Sequence, residues 1–116
     1  MSLADESVRL ARRLPEGLLR NIVARLNPQR VFVFGSQATG TTHEDSDWDL
    51  LIVVDDDIPP ARLHWRAIHD VRRGIHAAID LITYRASAFQ FEEDVVGTLP
   101  WIAATEGVLV YEREKS

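Results

Sequence analysis

Apolar residues in this chain recur at two different periods. Leu18, Leu19, Ile22, Val23 and Leu26 fall on one face of a helix. Pro15 ahead of them suits the first helical position, and Asn27-Pro28 ends the run. Val8, Leu10 and Ala11 predict a shorter helix before Pro15. Val31 to Phe34 is wholly apolar and β-favouring, which predicts a buried strand. Ser36 to about Gly40 reads as a short helix, and Asp47 to Val54 as a second strand. Ala61 to about Ile75 reads as a helix with Leu63, Ile68, Val71 and Ile75 turned inward and Gly74 near its end. Ala78 to Tyr84 is a third strand, Ser87 to Val96 and Leu99 to Thr105 are short helices, and Glu106-Gly107 makes a cap and turn. Val108 to Tyr111 closes the pattern as a strand, with a polar, frayed end beyond it.

Helices and strands therefore alternate, which predicts an α+β (α/β-like) chain, its sheet flanked by helices. No repeat, low-complexity stretch or linker interrupts the 116 residues, so 1–116 is expected to form a single domain. At 46% apolar residues the chain can bury a core of modest size. No apolar run approaches the roughly 18 residues of a membrane span. The N-terminus carries Asp5 and Glu6 and no apolar segment, unlike a signal peptide. Cysteine is absent, which removes disulfides, thiolate zinc sites and thiol nucleophiles and makes a cytoplasmic location the expectation.

Charge sharpens the picture. The net charge of −5 argues against general nucleic-acid binding. Its distribution says more. Seven acids lie between Val31 and Ala61 (Glu44, Asp45, Asp47, Asp49, Asp55, Asp56, Asp57) without a single Lys or Arg. Twelve of the thirteen basic residues are Arg, and Lys115 near the end is the only lysine. An acidic segment of this density repels itself, and divalent cations are the obvious counter-charge.

Within it, Asp47 and Asp49 stand one residue apart at the head of a strand. Residues i and i+2 of a strand point to one face with Cα atoms about 6.6 Å apart. That suits two carboxylates flanking metal ions, which in two-metal sites lie about 3.5–4 Å apart. Trp48 points the other way, into packing. Asp80 lies in an otherwise apolar strand, between Ile79 and Leu81, where a lone carboxylate is costly without a partner. Beside the first two it would complete a three-carboxylate site, although an Arg-paired structural acid is the alternative. All-oxygen ligands favour Mg²⁺ or Mn²⁺ over Zn²⁺. Upstream, Gly35 lets backbone approach a phosphate closely, and Ser36 would open the following helix, where N–H groups and the dipole favour an anion.

Gly35-Ser36, followed after ten residues by Asp47-Trp48-Asp49, with Asp80 on a later strand, resembles the minimal nucleotidyltransferase family of the DNA polymerase β-like superfamily. The resemblance extends over nearly the whole chain, including the closing EGVLVYE from Glu106 to Glu112. It implies the polymerase β-like fold, with a mixed sheet of about four strands. It implies that Asp47, Asp49 and Asp80 are catalytic and hold two Mg²⁺ ions, with Mn²⁺ as a substitute. It implies that Gly35 and Ser36 bind a nucleoside triphosphate, ATP in the first instance. A nucleoside monophosphate would then pass to a hydroxyl, with release of pyrophosphate. Many members read Gly-Ser-x-Ala-Arg-Gly, and here Thr39 stands in place of the Arg, which bears on the strength of nucleotide binding. Larger relatives carry a helical acceptor domain after the catalytic one. This chain stops before such a domain, so a partner or second subunit is expected to supply the acceptor site. In the minimal family that partner is often a small helical HEPN-type toxin, which gives the nucleotidyltransferase an antitoxin role. Two other readings stay open: an antitoxin that acts by binding alone, and a small-molecule nucleotidyltransferase of the aminoglycoside-modifying kind.

Several features take plainer readings. Gly35 to Thr42, GSQATGTT, resembles a P-loop, but Thr41 occupies the position of the required lysine. Asp55-Asp56-Asp57 reads as a solvated loop, and Asp45 as a loop acid. His43, His64, His69 and His76 show no i, i+4 ligand pair. Trp65, Phe89, Phe91 and Trp101 read as core or interface rather than a base-stacking surface. The largely apolar Phe89 to Trp101 stretch leaves self-association open.

Overall fold

Helical and extended segments alternate in the computed structural model, which describes residues 5–39 and 47–114. Helix α1 spans Asp5–Arg13, with Asp5 and Glu6 in its first turn and Arg12 and Arg13 in its last, the arrangement that complements the helix dipole. Helix α2 spans Leu18–Leu26 and buries Leu18, Ile22 and Leu26, four residues apart on one stripe. Pro15 does not begin this helix. Gly17 adopts a left-handed φ of 84° between them, so Pro15 belongs to the preceding turn, and its carbonyl accepts from the Leu18 N–H at 3.1 Å. Asn27, also left-handed at φ 44°, closes α2.

Four strands follow in one sheet: β1 (Arg30–Phe34), β2 (Trp48–Val54), β3 (Ile79–Arg85) and β4 (Val108–Glu112). Their spatial order is β3-β2-β1-β4. β1 runs antiparallel to β2 and β4, while β2 and β3 are parallel, so the sheet is mixed as expected. Both faces of β2 are covered, which explains its unbroken apolar run after Asp49. On one face Trp48, Leu50, Ile52 and Val54 join Val31, Val33 and the inner residues of α1 and α2. On the other, Phe32, Leu51 and Val53 form a smaller core with Phe89 and Ala103.

The expected Ala61–Ile75 helix is two pieces. A 3-10 turn covers Pro60–Leu63 and helix α4 covers Trp65–Val71. His64 between them is extended, and its ring accepts from the Arg66 N–H, capping α4. Val71 is the buried residue of α4, with Leu63, Ile68 and Ile75 only partly covered. Short helix α3 covers Ser36–Thr39, α5 covers Ala86–Glu92 and α6 covers Leu99–Glu106. α5 is shorter than expected: Val95 and Val96 lie beyond its end, exposed. Among the described residues no helix is long and apolar enough to cross a membrane.

The loop Asp55-Asp56-Asp57 is more than solvated. Arg113 reaches Asp55 with both terminal nitrogens, at 2.9 and 3.1 Å, and Gln29 donates to the same carboxylate at 2.8 Å. Arg85 donates to the Asp56 carbonyl, and the Asp56 carboxylate accepts from the Ser87 N–H. Hydrogen bonds from Arg113, then from Gln29, hold the Asp55 carboxyl below its usual range. Asp55 therefore adds stability above the ordinary carboxylate pKa, and that share is lost as pH falls through its lowered value. Arg113→Ala is expected to cost about 1 kcal/mol near neutrality. Urea melts across the acid range check this, with the gap to wild type closing as Asp55 protonates.

Candidate functional site

The acidic site forms where β1 ends and β2 and β3 begin. Phe34 lies opposite Asp49, and Asp49 lies directly beside Asp80 in the parallel register. Residues paired across neighbouring strands project to the same face, so these two carboxylates stand side by side. The alternation that sends Trp48 and Leu50 into the larger core turns Asp49 to the opposite face. Trp48 is buried as expected. Asp47 sits one residue before β2 rather than within it, and is exposed.

Asp80 is exposed, contrary to the expectation of an acid buried in an apolar strand. β3 is an edge strand, and Asp80 is its second residue. Ile79 packs into the larger core while Asp80 faces outward toward solvent beside Asp49. The Arg-paired alternative fails too: among the described residues the ion pairs are Arg73–Asp70 and Arg113–Asp55.

Burial of Asp49 pushes its carboxyl pKa upward, as do the charge of Asp80, a hydrogen bond with Asp80 and the charge of Asp47. A bound cation would relieve the same repulsion.

Gly35 ends β1 with a left-handed φ of 73°. A Cβ at this position would lie 2.5 Å from Asp49 Oδ2. The sequence suggested a glycine that makes room for phosphate. The geometry adds that glycine makes room for the Asp49 carboxylate, a contact that spacing alone does not reveal. Ser36, half-buried, opens α3 as expected. Gln37, next to it, is 5% exposed, and its side-chain oxygen accepts from Arg13 Nη2 at 3.4 Å. A guanidinium from the end of α1 is thereby brought to the Gly-Ser helix, a placement without a local sequence signal. The Thr39 side chain lies outside the described residues, as do Gly40, Thr41, Thr42, His43, Glu44, Asp45 and Ser46.

Among the described residues no three His, Cys, Asp or Glu side chains close into a ready-made metal cluster. Asp49 and Asp80 form a facing pair, with Asp47 exposed alongside. That fits Mg²⁺, which keeps waters and is held through one or two carboxylates together with substrate phosphates.

The remaining candidates fall elsewhere. His69 and His76 are exposed and His64 is a helix cap. Phe89 is fully buried and stacks on Phe32, with ring centroids 5.6 Å apart.

A family profile described as nucleotidyltransferase domain matches residues 17–109. Among solved structures, a Sulfolobus solfataricus protein assigned as a nucleotidyltransferase is similar at 21% identity and a TM-score of 0.55, over 99% of this chain and 95% of that one. A toxin–antitoxin structure with AMP-PNP is similar at 22% identity and a TM-score of 0.51, over 96% of this chain and 76% of that one. Both likenesses are of fold. No curated protein matches the chain.

Proposed function

The chain belongs to the nucleotidyltransferase domain family, and from that premise we propose that it transfers AMP from ATP to a hydroxyl group through Asp47, Asp49 and Asp80. The observation that carries this reading is the lateral Asp49–Asp80 pair beside Gly35. Asp47 and Asp49 would hold both Mg²⁺ ions, and Asp80 would hold the catalytic one and help to take the hydroxyl proton. Bound Mg²⁺ would supply charge neutralisation on the triphosphate and the leaving pyrophosphate. Gly35 and Ser36 would seat the phosphates at the end of β1. Catalysis in this scheme is positioning and electrostatics, with no covalent enzyme intermediate.

The acceptor on this reading is a hydroxyl of a helical HEPN-type protein partner, and the whole of 1–116 acts as one domain in an antitoxin role in the cytoplasm. The similarity to a toxin–antitoxin structure with AMP-PNP supports a protein partner and a nucleotide together. The second reading, neutralisation by binding alone, draws on Thr39 at the family's Arg position. The test is a reaction with α-labelled ATP, Mg²⁺ and the co-purified partner, read by mass spectrometry. We expect a mass increase of one AMP on the partner that EDTA prevents. An unmodified partner, with no binding of a non-hydrolysable ATP analogue by calorimetry, would replace the enzymatic reading with the binding one.

A further inference from the structure

We propose that this chain associates head to tail with a second copy of itself, an acidic apolar patch at the end of α5 and just beyond it seating against a basic patch around Trp65. Among the described residues the exposed large apolar side chains are Trp65 (67%), Phe91 (80%), Val95 (47%) and Val96 (77%). They divide into two groups on opposite sides of the sheet, because α4 packs into the larger core and α5 into the smaller.

The two groups carry opposite charge. From Ala86 to Gly107 the chain has Glu92, Glu93, Asp94 and Glu106 and no Lys or Arg. Glu93 and Asp94 therefore stand between Phe91 and Val95. From Pro60 to Ala77 it has Arg62, Arg66, Arg72 and Arg73 against Asp70 alone, and Asp70 is already taken by Arg73 at 2.9 Å. The Arg66 guanidinium lies over the Trp65 ring, 5.1 Å from its centroid. Arg62 and Arg25 line a neighbouring cavity, and among the described residues neither has an ion pair.

A two-fold contact of either patch with itself would set like charges together. A contact of one patch with the other pairs them. It also buries Trp, Phe and Arg, the residue types that dominate interface energetics. Because the patches lie on opposite sides of the sheet, the contact is heterologous and repeats from copy to copy.

Sedimentation analysis of Trp65→Ser and Phe91→Ser, alone and mixed, tests this. Wild type should gain mass with concentration. Each variant alone should weaken association roughly 30-fold or more, the loss expected of a hot-spot residue. Mixed at equal amounts, the variants should recover a pair that grows no further, since each contributes one intact patch. Both side chains are exposed, and unchanged circular dichroism melts confirm that the variants fold. Asp94→Arg and Arg66→Glu give the same comparison by charge. A wild type that remains a single chain at every concentration would overturn the proposal, as would variants that do not pair on mixing.

Discussion

Asp49→Asn should abolish nucleotidyl transfer and, in the same molecule, raise the melting temperature measured in EDTA. The two effects share one cause. Asp49 sits half-buried between the charges of Asp80 and Asp47, and its carboxyl pKa is raised. A carboxyl raised by folding stabilises the fold fully below its ordinary pKa, and that contribution is lost as pH rises through the raised value. At neutrality the ionised group therefore works against the fold. Asparagine removes the charge, keeps the volume and can donate its amide to Asp80. We expect a gain of a few tenths to about 1 kcal/mol without metal, the scale of exposed charge pairs. The same change removes an anionic oxygen from the proposed metal site, so transfer should fall on the order of 100-fold or more. Mg²⁺ should raise the melting temperature of wild type and leave that of the variant unmoved. Thermal melts with EDTA and with Mg²⁺, beside the labelling assay, read all three effects. A variant that keeps wild-type activity, or melts below wild type in EDTA, would remove Asp49 from its proposed role.

Gly35→Ala is the second expected large loss, and it reaches the same carboxylate from the other side. Its left-handed φ costs an L-residue about 1–2 kcal/mol. The added methyl would lie 2.5 Å from Asp49 Oδ2, and a side-chain oxygen yields more readily than backbone. The carboxylate should therefore rotate away from Asp80 while the fold survives. A displacement of about 1 Å at a reacting centre can lower the rate on the order of 100-fold. Gly74→Ala is the control. Gly74 has a similar φ of 80°, but open space where its Cβ would go. It should lose comparable stability and keep its activity. Equal activity losses in the two variants would mean that backbone strain, not the Asp49 contact, is what matters at Gly35.

The parts of this fold legible in the sequence are those written into local pattern. β2 announces itself because both of its faces are covered, so its residues after Asp49 are apolar without a break. The inward turn of Trp48 follows from strand alternation alone. The α2 stripe is equally local, but its starting point is not, since Gly17 separates Pro15 from the helix. The Ala61–Ile75 pattern runs across a break at His64, because a 3-10 turn and a helix can both offer apolar residues to one core. For Asp80 the flanking residues suggested burial. The open edge of β3 decides otherwise, and edge position is a property of the sheet's order rather than of the strand's composition. The Arg113–Asp55 clamp and the Gly35–Asp49 contact join residues that only folding brings together.

The strand order bears on how the chain is made as well as on what it does. β1 takes one neighbour, β2, from the sequence that follows it, but its other neighbour is β4, the last element, with Val33 opposite Val108. During synthesis the β1 backbone therefore waits with one side unpaired until β4 has left the ribosome. An unpaired apolar strand is a template for misassembly, so this interval is the aggregation-prone stage of folding. The closing strand then seals β1, and Arg113 just beyond it fastens that closure to Asp55 at the end of β2.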